Sequence, residues 1–332
     1  LGKKRLRTIR YKYFSDKAIQ LWDLCYAFFD LSHQLSINTD QKEYLLAKNF
    51  NIIFEAIIDE LIGDSRENIP AGLKDQYDGK RVDHMYRDVA LTTEGTNKNQ
   101  IYYIGDSKYY KLGHELGKES VFKQYTYARN VIQWNINLFL DDDNSVDAKE
   151  KKERAEDRQK YKDIRLRGDG KTDITEGYDV LPNFFISAFV DKDRKYDAGD
   201  NNLKNHIVVR NGKKVHNTYI SYQFTNRLFD RDTLVLSHYD VNFLYVVSRY
   251  ARNNTFQKDS WKGKVREKFR REIQRMLEEK YDFYAMSAHP GVDAEAYIKE
   301  HFQDVLGKIY APYGDKNVLS LALDKDMAYK GE

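Results

Sequence analysis

Residues 100–111 read QIYYIGDSKYYK. Ile101–Ile104 is a short apolar run of β-branched and aromatic residues, the composition of a buried strand. Asp106 and Lys108 follow it after Gly105. Two residues apart in an extended chain, they share one face at about 6.8 Å. Upstream, Val82–Leu91 (VDHMYRDVAL) is a second strand-like run, and the intervening 92–99 (TTEGTNKN) is polar and rich in turn residues. The two runs predict an antiparallel hairpin. With its turn between 91 and 100, positions 83 and 108 pair or nearly so, and cross-strand neighbours on one face come within about 5 Å. Asp83, Asp106 and Lys108 then converge, while His84 alternates to the opposite face.

Two carboxylates at close range repel unless a cation joins them, which is the physical case for a divalent metal. Hydrolysing a phosphodiester needs a positioned water, neutralised phosphate charge and a stabilised leaving alkoxide. A carboxylate-held metal beside a lysine meets those needs. Mg2+ prefers hard oxygen ligands and keeps several waters, so two or three carboxylates suffice, with Mn2+ as a substitute. The acid-x-Lys triplet itself discriminates little. It recurs at Asp40/Lys42, Asp78/Lys80, Asp193/Lys195 and elsewhere. Taken alone it is most often a weak surface ion pair. Only Asp106/Lys108 follows a four-residue apolar run and has an aspartate on a preceding strand.

Outward from the hairpin, the apolar periodicity predicts one helix over 16–35 and another from about Asp40 to Leu61, ending at Gly63. Glu55 lies on the second, roughly 60° round from Ile58 and so at the edge of its buried stripe. The stretch 65–80 reads as a loop with Pro70, Gly72 and Gly79. A long helix covers Glu119 to about Leu140. Residues 141–178 turn highly charged and read as an exposed insertion or linker, partly helical. Beyond it, LPNFFISAFV reads as a buried strand, and HIVVRNGKKVHNTYISYQF as a hairpin turning at Asn211–Gly212. TLVLSHYDVNFLYVVSRY is a further apolar run, and Trp261–Tyr284 a charged helix. Its stretch KGKVREKFRREIQR fits a DNA-facing surface or, equally, a salt-bridged exposed helix.

The 332 residues allow one large domain or two ordinary ones, and a composition 41% hydrophobic and 32% charged reads as a soluble globular protein. The net charge of +3 excludes a uniformly basic nucleic-acid coat, so contact with a polyanion must come from local patches. The opening LGKKRLRTIRYKY, with six basic residues and no acid, reads either as a solvated tail or as a phosphate-contacting arm. Cys25 is the single cysteine, so no internal disulfide forms, which fits a reducing cytoplasm. The eight histidines show no zinc spacing, and no Walker loop is present. The first residue is Leu1, which reads as a trimmed start with a module upstream.

Glu55 on a helix (Phe54–Glu55), then Val82–Asp83, then GDSKYYK and KQYTYA, resembles the PD-(D/E)XK nuclease superfamily in order and spacing over about 45–140. IGDSKYYK and the FE helix are similar to the McrC and LlaJI-type restriction endonuclease subunits. The later NRLFDRDTLVLSHYDVNFLYV extends that similarity to about 250. The resemblance implies an α/β fold: a restriction-endonuclease-like core, with a central mixed sheet flanked by helices. A helical N-terminal segment (1–40) precedes the core (41–140). The charged insertion (141–178) and a C-terminal α/β part (179–332) follow.

The resemblance also implies roles. Asp83, preceded by Val82 where the family has proline, Asp106, Glu55 and the Ser107 carbonyl would hold Mg2+. Lys108 would be the catalytic lysine. Gln124 would hold substrate phosphate or that lysine, and Lys111, Lys123 and Tyr127 would contact DNA. Gln124 and Tyr127 stand three apart, against four in RecB-like nucleases, which weakens the match at Tyr127. The implied activity is a cytoplasmic endonuclease for double-stranded DNA, in a restriction system with a McrB-like AAA+ GTPase partner. A homodimer is an open alternative and no membrane partner is implied. Two other functions fit the same residues: a catalytically silent nuclease-fold scaffold, and a RecB-like repair exonuclease.

Overall fold

The computed structural model of the chain describes residues 2–10, 15–35, 49–75, 80–92, 100–108, 116–139, 148–164, 166, 177–191, 193, 202–251, 255–311 and 318–327. The predicted turn at 93–99, the start of the helix expected from Asp40, Lys111 and insertion residues 167–176 lie outside them. Leu1–Lys48 and Asn49–Glu332 make two compact units. In the first, α1 (Gly2–Ile9) and α2 (Asp16–Leu35) are tied by aromatic anchors. The Trp22 indole donates to the Leu6 carbonyl at 2.8 Å, and Arg7 donates to the Tyr26 hydroxyl at 3.0 Å. Arg10 lies over the Trp22 ring, so two cations of the basic opening segment are engaged on α2.

In the second unit the hairpin forms from β1 (His84–Val89) and β2 (Gln100–Lys108). Its register differs from the expected one. His84 stands opposite Gly105 and Val89 opposite Gln100, which brings position 83 level with 106 instead of 108. Tertiary contacts fix this choice. Tyr86 and Tyr103 stack across the strands at 5.0 Å, and the Phe184 ring occupies the space over Gly105. A slip along β2 would separate both.

β2 pairs in parallel with β3 (Pro182–Phe189), and β3 in parallel with β8 (Leu234–Asn242). Along the far side of β8 run β4 (Leu203–Asn205) and β7 (Thr218–Ser221), both antiparallel to it. Between them the chain leaves the sheet as a ribbon, β5 (Ile207–Arg210) and β6 (Lys213–His216), turning at Asn211–Gly212 as expected. The chain is thus α/β, with a central mixed sheet flanked by helices. On one sheet face, Asp106 and Lys108 continue through Phe185 and Ser187 of β3 to His238 and Asp240 of β8. On the other, Phe184 and Tyr239 pack against Phe269, with ring centroids 4.6 and 4.2 Å away.

Helix α3 (Phe50–Ile62) begins later than its periodicity predicts. Asn49 sits at φ 58°, ψ 39°, left-handed backbone that cannot continue a right-handed helix. After β8 the chain enters α6 (Phe243–Ala251) without a loop, because Asn242 accepts from the N–H groups of Leu244 and Tyr245 as an N-cap. The apolar run at 233–250 is therefore a strand and a helix in sequence.

Helix α7 (Thr255–Lys280) hides a buried stripe of Trp261, Val265, Phe269, Ile273, Met276 and Leu277 under its charges. Burial of each large side chain contributes about 1.5–3 kcal/mol. Three cations offered by its sequence to DNA turn inward. Lys262 donates to the Gly63 carbonyl, Arg266 to the Ile62 carbonyl and Asp64, and Arg270 to Asp88. The first two satisfy the last carbonyls of α3 and its dipole. The helix ends at Lys280 because Tyr281–Ser287 is strand β9, paired with β11 (Val318–Asp324), which also carries β10 (Ile309–Tyr310). Helices α8 (Ala294–Glu300) and α9 (Phe302–Val305) complete this end.

Helix α4 (Lys118–Phe139) packs on β2. The charged α5 (Ala148–Lys160) leads into Tyr161, Ile164 and Leu166, all buried. Trp134 meets Tyr161 edge-on at 5.6 Å, and Asn135 bonds both the Ile164 carbonyl and the Leu166 N–H. The described end of the charged segment therefore belongs to the core, not to an exposed linker. Among the described residues, no helix is long and apolar enough to cross a membrane.

Asp179 introduces a pH dependence at this junction. It is buried, and burial lifts its carboxyl to about 7, against bonds from the Val180 N–H and the Thr92 hydroxyl that pull it down. An unfolded aspartate loses its proton near pH 4. Between about 4 and 7 the folded state holds the proton and the unfolded state does not, so stability falls as pH rises through that window. Asp179→Asn is expected to remove this dependence and to stabilise the protein at pH 8 by about 2–3 kcal/mol. Melting curves at pH 5 and pH 8 check it; equal gains at both would refute it.

Candidate active site

β2 carries the site because its apolar half buries it. Asp106 is 2% exposed and Ser107 7%, although both are polar. Asp106 and Lys108 share a face as the two-residue period requires, and the Lys108 ammonium contacts Asp106 Oδ2. Lys108 also lies over the Phe185 ring at 5.4 Å. Lys123 approaches from α4, with its ammonium 3.7 Å from Asp106 Oδ1. Burial and then the neighbouring Asp83 raise the Asp106 pKa, with Lys108 and Lys123 opposing. Partial burial works against the Lys123 ammonium, but Tyr127 and Asp106 outweigh it and its pKa is raised.

Asp83 reaches the site from just before β1. Its Oδ2 accepts the Ser107 N–H at 3.0 Å, the consequence of the register that sets 83 level with 106. Glu55 faces the same region from α3. Its pKa is raised by burial, then by Asp83 and Asp106, so the three carboxylates share one field. Glu55 and Asp83 line a cleft of about 430 Å³ with Asp59, Asp64, Arg81 and Lys262.

Gln124 is fully buried on α4, and among the described residues neither of its amide atoms has a hydrogen-bond partner. Val121, one turn earlier, packs against the Phe185 cluster, so Gln124 shares the helix face turned to the sheet. An orphaned buried amide is rare and marks a place where a water, an ion or a ligand belongs.

The structure thus brings Asp83, Asp106, Ser107, Lys108, Glu55 and Lys123 together. Lys123 belongs with the acids themselves as well as with any phosphate. Tyr127 requires a correction: its ring is wholly buried and its hydroxyl donates to the Arg81 carbonyl at 2.8 Å. A buried ring cannot touch DNA; it steadies the segment that leads into Asp83. Tyr127→Phe is expected to lower stability by about 1 kcal/mol, the net worth of one such bond, as read from denaturant midpoints. Lys111 lies outside the described residues.

Sequence reasoning missed two networks. His84 faces away from Asp106, as expected, but is not idle: it hydrogen-bonds the Ser107 hydroxyl at 2.7 Å and lies 3.6 Å from Asp59, which pairs with Lys74 at 2.5 Å. This chain joins α3 to the strand behind the site. On the site's own face, His238 bonds the Ser187 hydroxyl at 2.7 Å and stacks on His206 at 3.9 Å, and His206 donates to Asp240 at 2.8 Å. Burial, then His206, His216 and Lys108, push His238 down to about 2, so it is neutral. His206, His238 and Asp240 lie close enough to hold a metal ion. Yet stacked rings direct their in-plane lone pairs side by side, and both His238 nitrogens are already engaged, by Ser187 and Asn217. The four partners sit on β3, β8 and the chain after β4, and no sequence spacing announces them.

Comparison of the chain with protein-family models, curated proteins and solved structures found no match.

Proposed function

We propose that the chain is a Mg2+-dependent DNA endonuclease, the cutting subunit of a restriction system of the McrC/LlaJI type working with an AAA+ GTPase. The observation that carries this reading is the meeting of Asp83, Asp106 and Glu55 in one electrostatic field beside Lys108. Burial raises the pKa values of Glu55 and Asp106, repulsion from Asp83 adds to it in both, and a bound cation would relieve that repulsion. The donor set is hard oxygen, which suits Mg2+ or Mn2+. Asp83, Asp106 and Glu55 would hold the ion, with the Ser107 carbonyl as a further donor. When bound, the ion neutralises phosphate charge and acidifies water.

The chain's own groups do the rest. Lys108, held between Asp106 and the Phe185 ring, supplies a fixed positive charge for the phosphate and orients the attacking water. Lys123 adds a second cation on the same side. His84, by fixing Ser107, keeps the backbone after Asp106 in place. The test is relaxation and linearisation of supercoiled plasmid with Mg2+, against EDTA and against Lys108→Ala. Cleavage that persists undiminished in that variant rejects the site.

A further inference from the structure

The excursion between β4 and β7 carries a charge pattern that the proposed site does not use. From Asn202 to Phe229 the chain has five lysines or arginines, two histidines and no acid, although it has 52 acids in all. About four acids would fall in such a stretch at the chain's average density. Its centre is the β5–β6 ribbon, whose strands pair with each other as a separate two-stranded sheet. Asn211 (φ 51°) and Gly212 (φ 73°) both take left-handed backbone, the hairpin turn whose twist matches the flanking strands. The ribbon is therefore a defined arm. Cross-strand pairing sets Ile207 and Val209 on one face with Lys214, and Lys213 opposite Arg210 at the tip. Val209 is 63% exposed and Ile207 48%; Lys214 is exposed beside them, and Lys213 is exposed at the tip on the other face.

The base of the arm is locked to the site's own row of the sheet. The His206 N–H donates to the His238 carbonyl, the Asn217 N–H to the His206 carbonyl, and the His238 N–H to the Asn217 carbonyl. The His216 ring donates to the same His238 carbonyl at 2.8 Å. Because Asp106 pairs with Phe185, and Phe185 with His238, the arm leaves the sheet edge in register with Asp106. Three strand spacings put its base about 14 Å from the Asp106 strand, and its four-residue strands are about 13 Å long. The base thus stands about one major-groove width, about 12 Å, from the site strand. A two-stranded ribbon fits a groove; exposed branched residues contact bases, and lysines flank them on phosphates.

We propose that the β5–β6 ribbon is a duplex-DNA clamp. It lays Ile207 and Val209 toward a groove with Lys214 beside them at the phosphate edge, and sets Lys213, at the tip, on the neighbouring phosphates, its base standing about one groove width from the Asp106 strand. The polymer's identity rests on the nuclease reading; the arm, its charge and its placement do not. The test is fluorescence anisotropy of the full chain with a labelled duplex of about three turns, in Ca2+ and over a range of salt. Lys213→Glu/Lys214→Glu is expected to weaken binding at least ~10-fold and to flatten the log–log salt slope by about 2, while Lys213→Arg/Lys214→Arg keeps wild-type values. Unchanged melting temperatures check that these exposed changes leave the fold intact. Binding by the glutamate pair within about twofold of wild type, with the same slope, overturns the clamp. If wild type cuts plasmid and this still occurs, the clamp alone falls. If wild type binds no duplex, clamp and nuclease reading fall together.

Discussion

Lys108→Ala is expected to lower Mg2+-dependent plasmid cleavage by about 10³-fold. The size follows from what the ammonium does: it is a preorganised charge in a water-poor place, and such groups are worth several orders of magnitude. The structure adds a condition that the sequence did not supply. Lys108 is also the partner of a carboxylate only 2% exposed. Deleting it leaves Asp106, among the described residues, with the Lys123 ammonium at 3.7 Å. A bare buried charge would destabilise strongly, but Asp106 already has a raised pKa and can take up a proton instead. The folding penalty is therefore expected to stay near 1–2 kcal/mol. Lys108→Arg separates the two roles: it keeps the charge beside Asp106 but not the compact ammonium. Restored stability with cleavage still down about 100-fold is the expected pattern. Full cleavage by the arginine variant would reduce the lysine's role to charge alone.

The hairpin was legible because its information is local: period two, a four-residue apolar run and a polar turn segment. Its register was not, because Tyr86 on Tyr103 and Phe184 over Gly105 decide it, and Phe184 lies 79 positions beyond Gly105. Asp83, Asp106 and Lys108 still met, since a shift of two residues keeps every side chain on its face. Tyr127 could be named from its motif, but motif position carries no depth, and depth makes it a brace. In α7 the buried stripe recurs every three or four residues, yet its many charges drew attention to the surface. The pairing of Arg266 with the end of α3 then depends on a fold that brings together residues about 200 apart. The row His238–His206–Asp240 is the extreme case: each residue is ordinary alone, and only the order β3–β8–β4 sets them beside Lys108.

Gly105→Val is expected to destabilise the protein by about 3 kcal/mol or more and to abolish cleavage in whatever folds. A Cβ at this position would meet the Phe184 ring at 2.1 Å, far inside contact distance. The ring cannot step aside, for Phe269 lies behind it at 4.6 Å and Tyr86 at 6.0 Å. The backbone of β2 is held between β1 and β3, so the strain would pass to Asp106, the next residue. The glycine is therefore what lets an aromatic core press flat against the strand that carries the acids. Phe184→Ala alone should lose about 3–5 kcal/mol through the cavity it leaves. Made together, the two changes should be less harmful than their sum, because the valine enters space the ring vacates, with a coupling of at least about 1 kcal/mol. Strict additivity in urea denaturation would show that Phe184 is not what Gly105 accommodates, and the account of why this strand holds its register would go with it.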